Sequence, residues 1–162
     1  ICGLLAGDDG WLERGKEALA GAFGPIDDQS EIIPFDFTDY YADELGPDIL
    51  RQFISVEKPV DPGRLAAIKR KTNRLEEDLS GDDLRKVNLD PGYLDLSKMV
   101  LASTKDATYR VYLAEGIYAQ ATYYFQKKTY HPYRWTYADY QTETAINFFN
   151  RVRAVYKRQL RE

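Results

Sequence analysis

Residues 62 to 80 constrain the fold most, because Leu65, Ile68, Thr72, Leu75 and Leu79 recur there at spacings of three and four. Asp61 supplies a cap and Pro62 a first helical position. The pattern predicts an amphipathic helix with one apolar face to bury. Strand-like runs bracket it, Leu50 to Val56 before and Lys86 to Leu89 after. Upstream, Ile1 to Ala6 reads as a buried strand, and Gly7-Asp8-Asp9-Gly10 leads into a helix. Leu12, Leu19 and Phe23 share a face of that helix until Gly24-Pro25 ends it. Glu31 to Phe35 predicts one more strand. Strand, helix, two strands, helix, strand is the order of a ferredoxin-like split βαβ unit, so the expected fold is α+β.

The second half extends that unit. Leu96, Met99 and Val100 predict a short helix after Asp95, and Asp90-Pro91-Gly92 a turn. Tyr109 to Leu113 and Ile117 to Phe125 predict a β-hairpin about Gly116. A three-residue loop, Ala114-Glu115-Gly116, would pair Leu113 with Ile117. It would place Tyr109, Val111, Leu113, Ile117, Ala119, Ala121, Tyr123 and Phe125 on one face. From about Ala138 a long final helix is expected, with Ala145, Phe148, Phe149, Val152 and Val155 or Tyr156 inward. The whole, residues 1–162, reads as a single α+β domain with a C-terminal hairpin and long helix.

Composition narrows the chemistry. A net charge of −4 argues against a broad basic face for nucleic acid. A basic stretch on the predicted helix, Arg64, Lys69, Arg70, Lys71 and Arg74, reads either as an anion patch or as a solvated helix face. Cys2 is the lone cysteine and has no internal disulfide partner, which fits a reducing, cytoplasmic setting. No apolar run approaches a membrane span, and Ile1 to Gly7 lacks the charged leader of a signal peptide. The initial Met is also missing, so targeting stays open. The 13 tyrosines are the compositional outlier, suited equally to half-buried sheet faces and to ligand pockets.

Three polar clusters are candidates for a site. Asp36 and Asp39, in Pro34-Phe35-Asp36-Phe37-Thr38-Asp39-Tyr40-Tyr41, could hold a hard cation if other oxygens converge, or could cap a helix. Asn88 and Asp90 would project together from a strand end beside Tyr93, although turn chemistry alone explains Asp90. Ser103-Thr104-Lys105-Asp106 with Arg110 can take a phosphate or carboxylate, with Asp106 orienting Lys105; an exposed ion-paired loop is the alternative. No phosphate-binding Gly-x-x-x-x-Gly-Lys-Ser/Thr or Gly-x-Gly-x-x-Gly is present. His131 is the single histidine, so a serine triad or a two-histidine metal site within one chain is not expected.

Several of these segments recur together in one family. Phe23-Gly24-Pro25-Ile26, residues 34 to 41, Val87 to Leu94, Thr104-Lys105-Asp106, Gly116-Ile117-Tyr118, residues 135 to 140 and residues 148 to 153 resemble an uncharacterised bacterial family called domain of unknown function 4416. The resemblance spans nearly the whole chain. It implies a bacterial, cytoplasmic protein and brings no established activity, cofactor or catalytic residue. A GTP-binding label on some members finds no support in these residues. The phosphate loop is absent, and Thr104-Lys105-Asp106 lacks the spacer of an Asn/Thr-Lys-x-Asp motif.

Two functions follow. In the first, Asp36, Asp39, Asn88, Asp90, Lys105, Asp106 and Arg110 converge with Tyr93 and Tyr118 into a pocket for a small anionic molecule, a nucleotide or metabolite. Lys105 and Arg110 would hold the anion, and the carboxylates a divalent cation or a proton in metal-assisted phosphoryl chemistry. In the second, Tyr112, Tyr118 and Tyr124 with Arg110 and Gln120 form an exposed tyrosine-rich sheet face for a partner protein or single-stranded RNA. Acidity makes RNA the weaker partner, leaving protein contact or self-association.

Overall fold

The run Cys2–Ala6 is buried along its whole length in the computed structural model, which describes residues 1–81 and 84–161. Apolar on both faces, it belongs at the centre of a sheet. This first strand, β1, lies antiparallel between β4 (Leu50–Val56) and β5 (Val87–Leu94). Among the described residues the remaining strands are β2 (Ile26–Gln29), β3 (Ile33–Pro34), β6 (Lys98–Ser103), β7 (Val111–Ala114), β8 (Ile117–Gln126) and β9 (Thr129–Pro132). They form one large antiparallel sheet in the order β2-β4-β1-β5-β6-β8-β7, with β3 beside β4 and β9 beside β8. Residues 82, 83 and 162 of the expected single domain lie outside the described residues.

Four α-helices complete the described fold: α1 (Asp9–Phe23), α2 (Ala42–Leu45), α3 (Leu65–Asp78) and α4 (Glu143–Gln159). Asp8 caps α1 by accepting from the Trp11 N–H at 2.9 Å, and Thr142 caps α4 by accepting from Ala145 N–H at 3.2 Å. Leu12 and Leu19 of α1 pack with Leu75 and Leu79 over Leu4, Ile54 and Leu89 on one sheet face. On the other face, Phe148, Phe149 and Val152 of α4 pack over Phe53, Met99, Leu101 and Tyr123. Burial of each such side chain contributes about 1.5–3 kcal/mol. No helix of the described residues is long and apolar enough to cross a membrane.

Several local expectations are corrected. The helix predicted after Asp95 is the strand β6, because Asp95 closes a tight turn. Its Oδ1 accepts from the N–H groups of Ser97 at 2.7 Å and Lys98 at 2.8 Å, while its own N–H donates to the Lys98 carbonyl. Asp90-Pro91-Gly92 is not a turn but runs through β5. Gly92 lets β6 approach closely: a Cβ there would sit 2.4 Å from the Val100 carbonyl oxygen. The second strand is divided, with most of its pairing at Ile26–Gln29 and only Ile33–Pro34 within the expected span. The 62–80 helix opens with a 3-10 turn over Pro62–Arg64 before α3.

The hairpin closes through two residues, not three. Glu115 and Gly116 both take positive φ, 54° and 76°, and Ala114 pairs with Ile117. A bulge at Leu113 then restores the expected register, so that Tyr112 faces Tyr118 and Val111 faces Ala119. A second bulge, at Thr122, lies between the pairs Val100–Ala121 and Met99–Tyr123. It turns Tyr123 and Phe125 towards the α4 core, whereas Ile117 and Ala119 join the cluster of Leu65 and Val100 on the α3 side. The single apolar face expected of this strand is therefore divided between two layers.

Two outcomes test these features. Gly92→Ala is expected to lower unfolding free energy by about 1–3 kcal/mol in urea denaturation, because its methyl group meets backbone rather than a movable side chain. Burial alone would raise the Asp95 pKa, but the Lys98 ammonium and the Ser97 and Lys98 N–H groups together hold it down to about 2. A depressed carboxyl contributes stability that is present above its unfolded pKa and lost as pH falls through the folded one. Asp95→Asn, which keeps the turn's acceptor but cannot ionise, is expected to remove that part of the stability loss between about pH 4 and pH 2.

Candidate functional site

β5 and β6 stay together for only three pairs, Gly92–Leu101, Tyr93–Val100 and Leu94–Met99. From Pro91 back to Val87, β5 pairs with β1, while Ala102 and Ser103 continue along β8. The sheet forks, and a cleft of about 120 Å³ opens between the two branches. Asp90, Lys69 and Arg85 line one side, Ser103, Thr104, Lys105 and Gln120 the other, and Tyr40, Tyr41 and Tyr137 flank it.

A fork leaves strand-edge backbone without a partner, and a buried orphan is expensive. Side chains of α3 replace the missing strand. Glu76 Oε1 accepts from the Leu89 N–H at 2.6 Å, and Lys69 Nζ donates to the Leu89 carbonyl at 2.9 Å. Two residues along the same edge stands Pro91, which has no N–H to satisfy. Burial raises the Glu76 pKa, and Lys69, the Leu89 N–H and Arg85 oppose that shift. The solvated-face alternative for the α3 charges therefore fails at Lys69 and Glu76, which are buried, and holds for Arg64, Arg70, Lys71 and Arg74, which are exposed.

A chain of charged groups runs beneath the cleft. Arg51 Nε lies 2.7 Å from Asp139 Oδ2, and Arg51 Nη1 and Nη2 each donate to Asp90 Oδ2 at 3.3 Å. Asn88 Nδ2 donates to the same oxygen at 2.9 Å, and Arg85 donates to Asn88 Oδ1 at 2.9 Å. Arg85 also pairs with Glu44 at 2.5 Å and Glu76 at 3.3 Å, tying α2 to α3. Burial by itself would lower the Arg51 pKa, but Asp139, Tyr140 and Asp90 raise it further and keep the guanidinium charged. Gly3 makes room, since a Cβ there would lie 2.8 Å from Arg51 Nη1 and 2.5 Å from the Tyr140 hydroxyl. The Arg51 and Asp139 side chains are 4% and 3% exposed, whereas Asp90 is 24% exposed, so Asp90 is where this network meets the cleft.

The opposite lip is braced by Arg110. Its Nε donates to Gln120 Oε1 at 2.9 Å, Nη1 to the Lys105 carbonyl at 2.7 Å and Nη2 to the Tyr137 hydroxyl at 2.7 Å. Lys105 Nζ donates to the Tyr40 hydroxyl at 2.6 Å and lies 4.2 Å from that ring's centroid. Burial raises the Tyr137 pKa, so its hydroxyl keeps its proton.

Of the residues expected at a site, the fork brings Asn88, Asp90 and Lys105 together, with Arg110 behind them. Asp36, Asp39 and Asp106 are exposed and form no ion pair or side-chain hydrogen bond among the described residues, although Tyr40 and Tyr41 of the Asp36–Asp39 segment do reach the cleft. Tyr118 packs edge-on against Tyr112, at 5.4 Å between ring centres. Tyr93 sits on the other sheet face, bordering an apolar cavity of about 150 Å³ with Leu19, Phe23, Ile68 and Val155. That cavity is the roomier of the two. The fork, where polar side chains of several segments converge, is the better candidate for chemistry. Among the described residues no three His, Cys, Asp or Glu side chains come together as metal ligands.

Arg51, Glu76, Arg85, Tyr137 and Asp139 join the site without any expectation from the sequence; Lys69 was expected only within a basic helix stretch, and Gln120, expected on the exposed tyrosine-rich face, is buried. Two signals were available. Lys69 and Glu76 share the helical stripe of Leu65 and Thr72, and Arg51 alternates in phase with Phe53 in an apolar strand. Removing one partner of a buried pair strands the other charge. Arg51→Met is therefore expected to destabilise by about 3–5 kcal/mol, and Arg51→Met with Asp139→Leu to recover most of it, as read by urea denaturation.

No curated protein and no solved structure matches the chain. A family model does match, over residues 1–156. By that match the chain belongs to the family Domain of unknown function (DUF4416).

Proposed function

We propose that the fork cleft binds a small anionic molecule, a nucleotide or a metabolite. The observation that carries this is an imbalance of paired charge. Arg51 is shared between Asp90 and Asp139, and Arg85 between Glu44 and Glu76, an excess of two negative charges. Lys69, Lys105 and Arg110 form no ion pair among the described residues and add three positive ones, so the charge around the cleft is net positive although the whole chain carries −4. Tyrosine rings at the mouth offer apolar area beside it. A divalent cation is not required by this proposal. The order β2-β4-β1-β5, all antiparallel with α1 and α3 on one face, supports reading the first half as a ferredoxin-like split βαβ unit. In that reading the fork is where the added hairpin layer leaves it.

One observation favours the second function, an interaction module. All of β7 is exposed at the sheet edge, with Val111 at 67% and Tyr112 at 57%. Thermal-shift measurements with nucleotides, sugar phosphates and divalent ions separate the two. A ligand that binds only the native state stabilises it by about 2.7 kcal/mol at a hundred times its Kd. The anion site predicts a stabilising ligand whose effect is lost in Lys105→Ala and Asp90→Ala. No stabilisation across the panel, with both variants folded, would transfer the assignment to the β7 edge and its neighbouring tyrosines.

A further inference from the structure

The hydrogen-bond polarity of the cleft says more than its charge. The Tyr40 hydroxyl accepts from Lys105 Nζ, the Tyr137 hydroxyl from Arg110 Nη2, and Ser103 Oγ from the Lys105 N–H at 3.1 Å. Each of these partners can only donate, so each hydroxyl keeps its own proton for another acceptor. None of the three finds one among the described residues.

Gln120 repeats the logic in the wall between them. It is 1% exposed, and because Arg110 has no acceptor, the amide atom facing it must be the oxygen. Its Nε2 is left buried without a partner. A buried, unsatisfied donor is costly and calls for an explanation.

Asp90 has the complementary polarity. All the donors that reach it, two from Arg51 and one from Asn88, go to Oδ2. Oδ1 has no donor among the described residues and belongs to a side chain that lines the cleft.

Resting on the anion site proposed above, we infer that the cleft takes a phosphomonoester whose carbon frame carries a hydroxyl group. The phosphoryl oxygens accept from Lys105, Ser103, Tyr40, Tyr137 and Gln120, and the ligand hydroxyl donates to Asp90 Oδ1. A carboxylate fits this arrangement less well. Its two oxygens lie in one plane, whereas these donors come from the α2 approach, the end of β6, β8 and the turn before α4, and surround a ligand rather than flank it. Gln120 is then the residue that distinguishes the occupied site, since a ligand acceptor would satisfy the amide N–H that no described residue accepts.

Isothermal titration of the full chain with glycerol phosphate and glucose phosphate, against glycerate and glucuronate as the matching carboxylates and methyl phosphate as a phosphomonoester without a hydroxyl, tests this. At least one of the two hydroxylated phosphates is expected to bind about tenfold or more tighter than its carboxylate counterpart. Methyl phosphate is expected to bind more weakly than that ligand, with the gap closing in Asp90→Asn, which still offers Arg51 an oxygen. Gln120→Leu is expected to weaken the phosphate about tenfold, and Ser103→Ala and Tyr137→Phe, at more accessible positions, by severalfold each. Carboxylates binding as tightly as the phosphates, or phosphate affinity unchanged in both Ser103→Ala and Tyr137→Phe, would overturn the phosphomonoester assignment and leave the anion site standing. Failure of every anion in the panel to bind the wild-type chain would remove both.

Discussion

The edge of β5 at Leu89 needs a donor and an acceptor from something other than a strand, and the architecture around the cleft follows from how α3 supplies them. Had β6 continued beside β5, Ala102 and Ser103 would close the space now lined by Asp90 and Gln120. Lys69 and Glu76 make the divergence affordable by giving Leu89 what a neighbouring strand would have given. They also fix the distance between α3 and β5, since both hydrogen bonds must hold at once. Pro91 reinforces the split by having no N–H to leave unsatisfied, and Gly92 ends it by allowing the backbones of β5 and β6 to meet.

A second consequence is electrostatic. Arg51 and Asp139 are held where solvent barely reaches, at a desolvation cost of several kcal/mol per ion that their close pairing offsets, while Asp90 at the other end of the network is partly open to solvent. The rings of Phe35, Phe53 and Tyr140 lie 5.4–5.6 Å from the guanidinium carbon and surround it with aromatic faces. Asp90 is thus presented to the cleft by a buried base, with Oδ2 committed to Arg51 and Asn88 and Oδ1 without a donor among the described residues. Arg85 extends the same network to Glu44 of α2 and Glu76 of α3, so both helices bordering the cleft are tied to one set of charges.

Much of the local structure was legible. The 3.6-residue spacing located α1, α3 and α4, down to the buried set Ala145, Phe148, Phe149 and Val152, because a helix beside a single core must show its inward stripe. Bulges at Leu113 and Thr122 were not legible, since an extra residue in one strand is a response to its neighbours and leaves no periodic mark. The Asp90-Pro91-Gly92 triplet has every residue of a turn, yet its proline answers a missing strand partner and its glycine a close backbone approach. Asn88, Asp90 and Lys105 belong to polar segments that stood out in the sequence, although turn chemistry alone would have accounted for Asp90. Tyr93, one residue beyond Gly92, fell on the opposite face.

By itself the sequence determined most of the element types, the α+β class and the polar segments from which a site would be made, because periodicity, capping and turn chemistry act over a few residues. Only the tertiary structure decided that β5 and β6 part company, and with that which groups face one another. Arg51 meets Asp90 and Asp139 across separations of 39 and 88 positions, and Lys105 meets Tyr40 across 65, so no local pattern records these pairings. They exist because two branches of one sheet diverge, and the space between them has to be lined by whatever α3, the α2 approach and the turn before α4 bring to it.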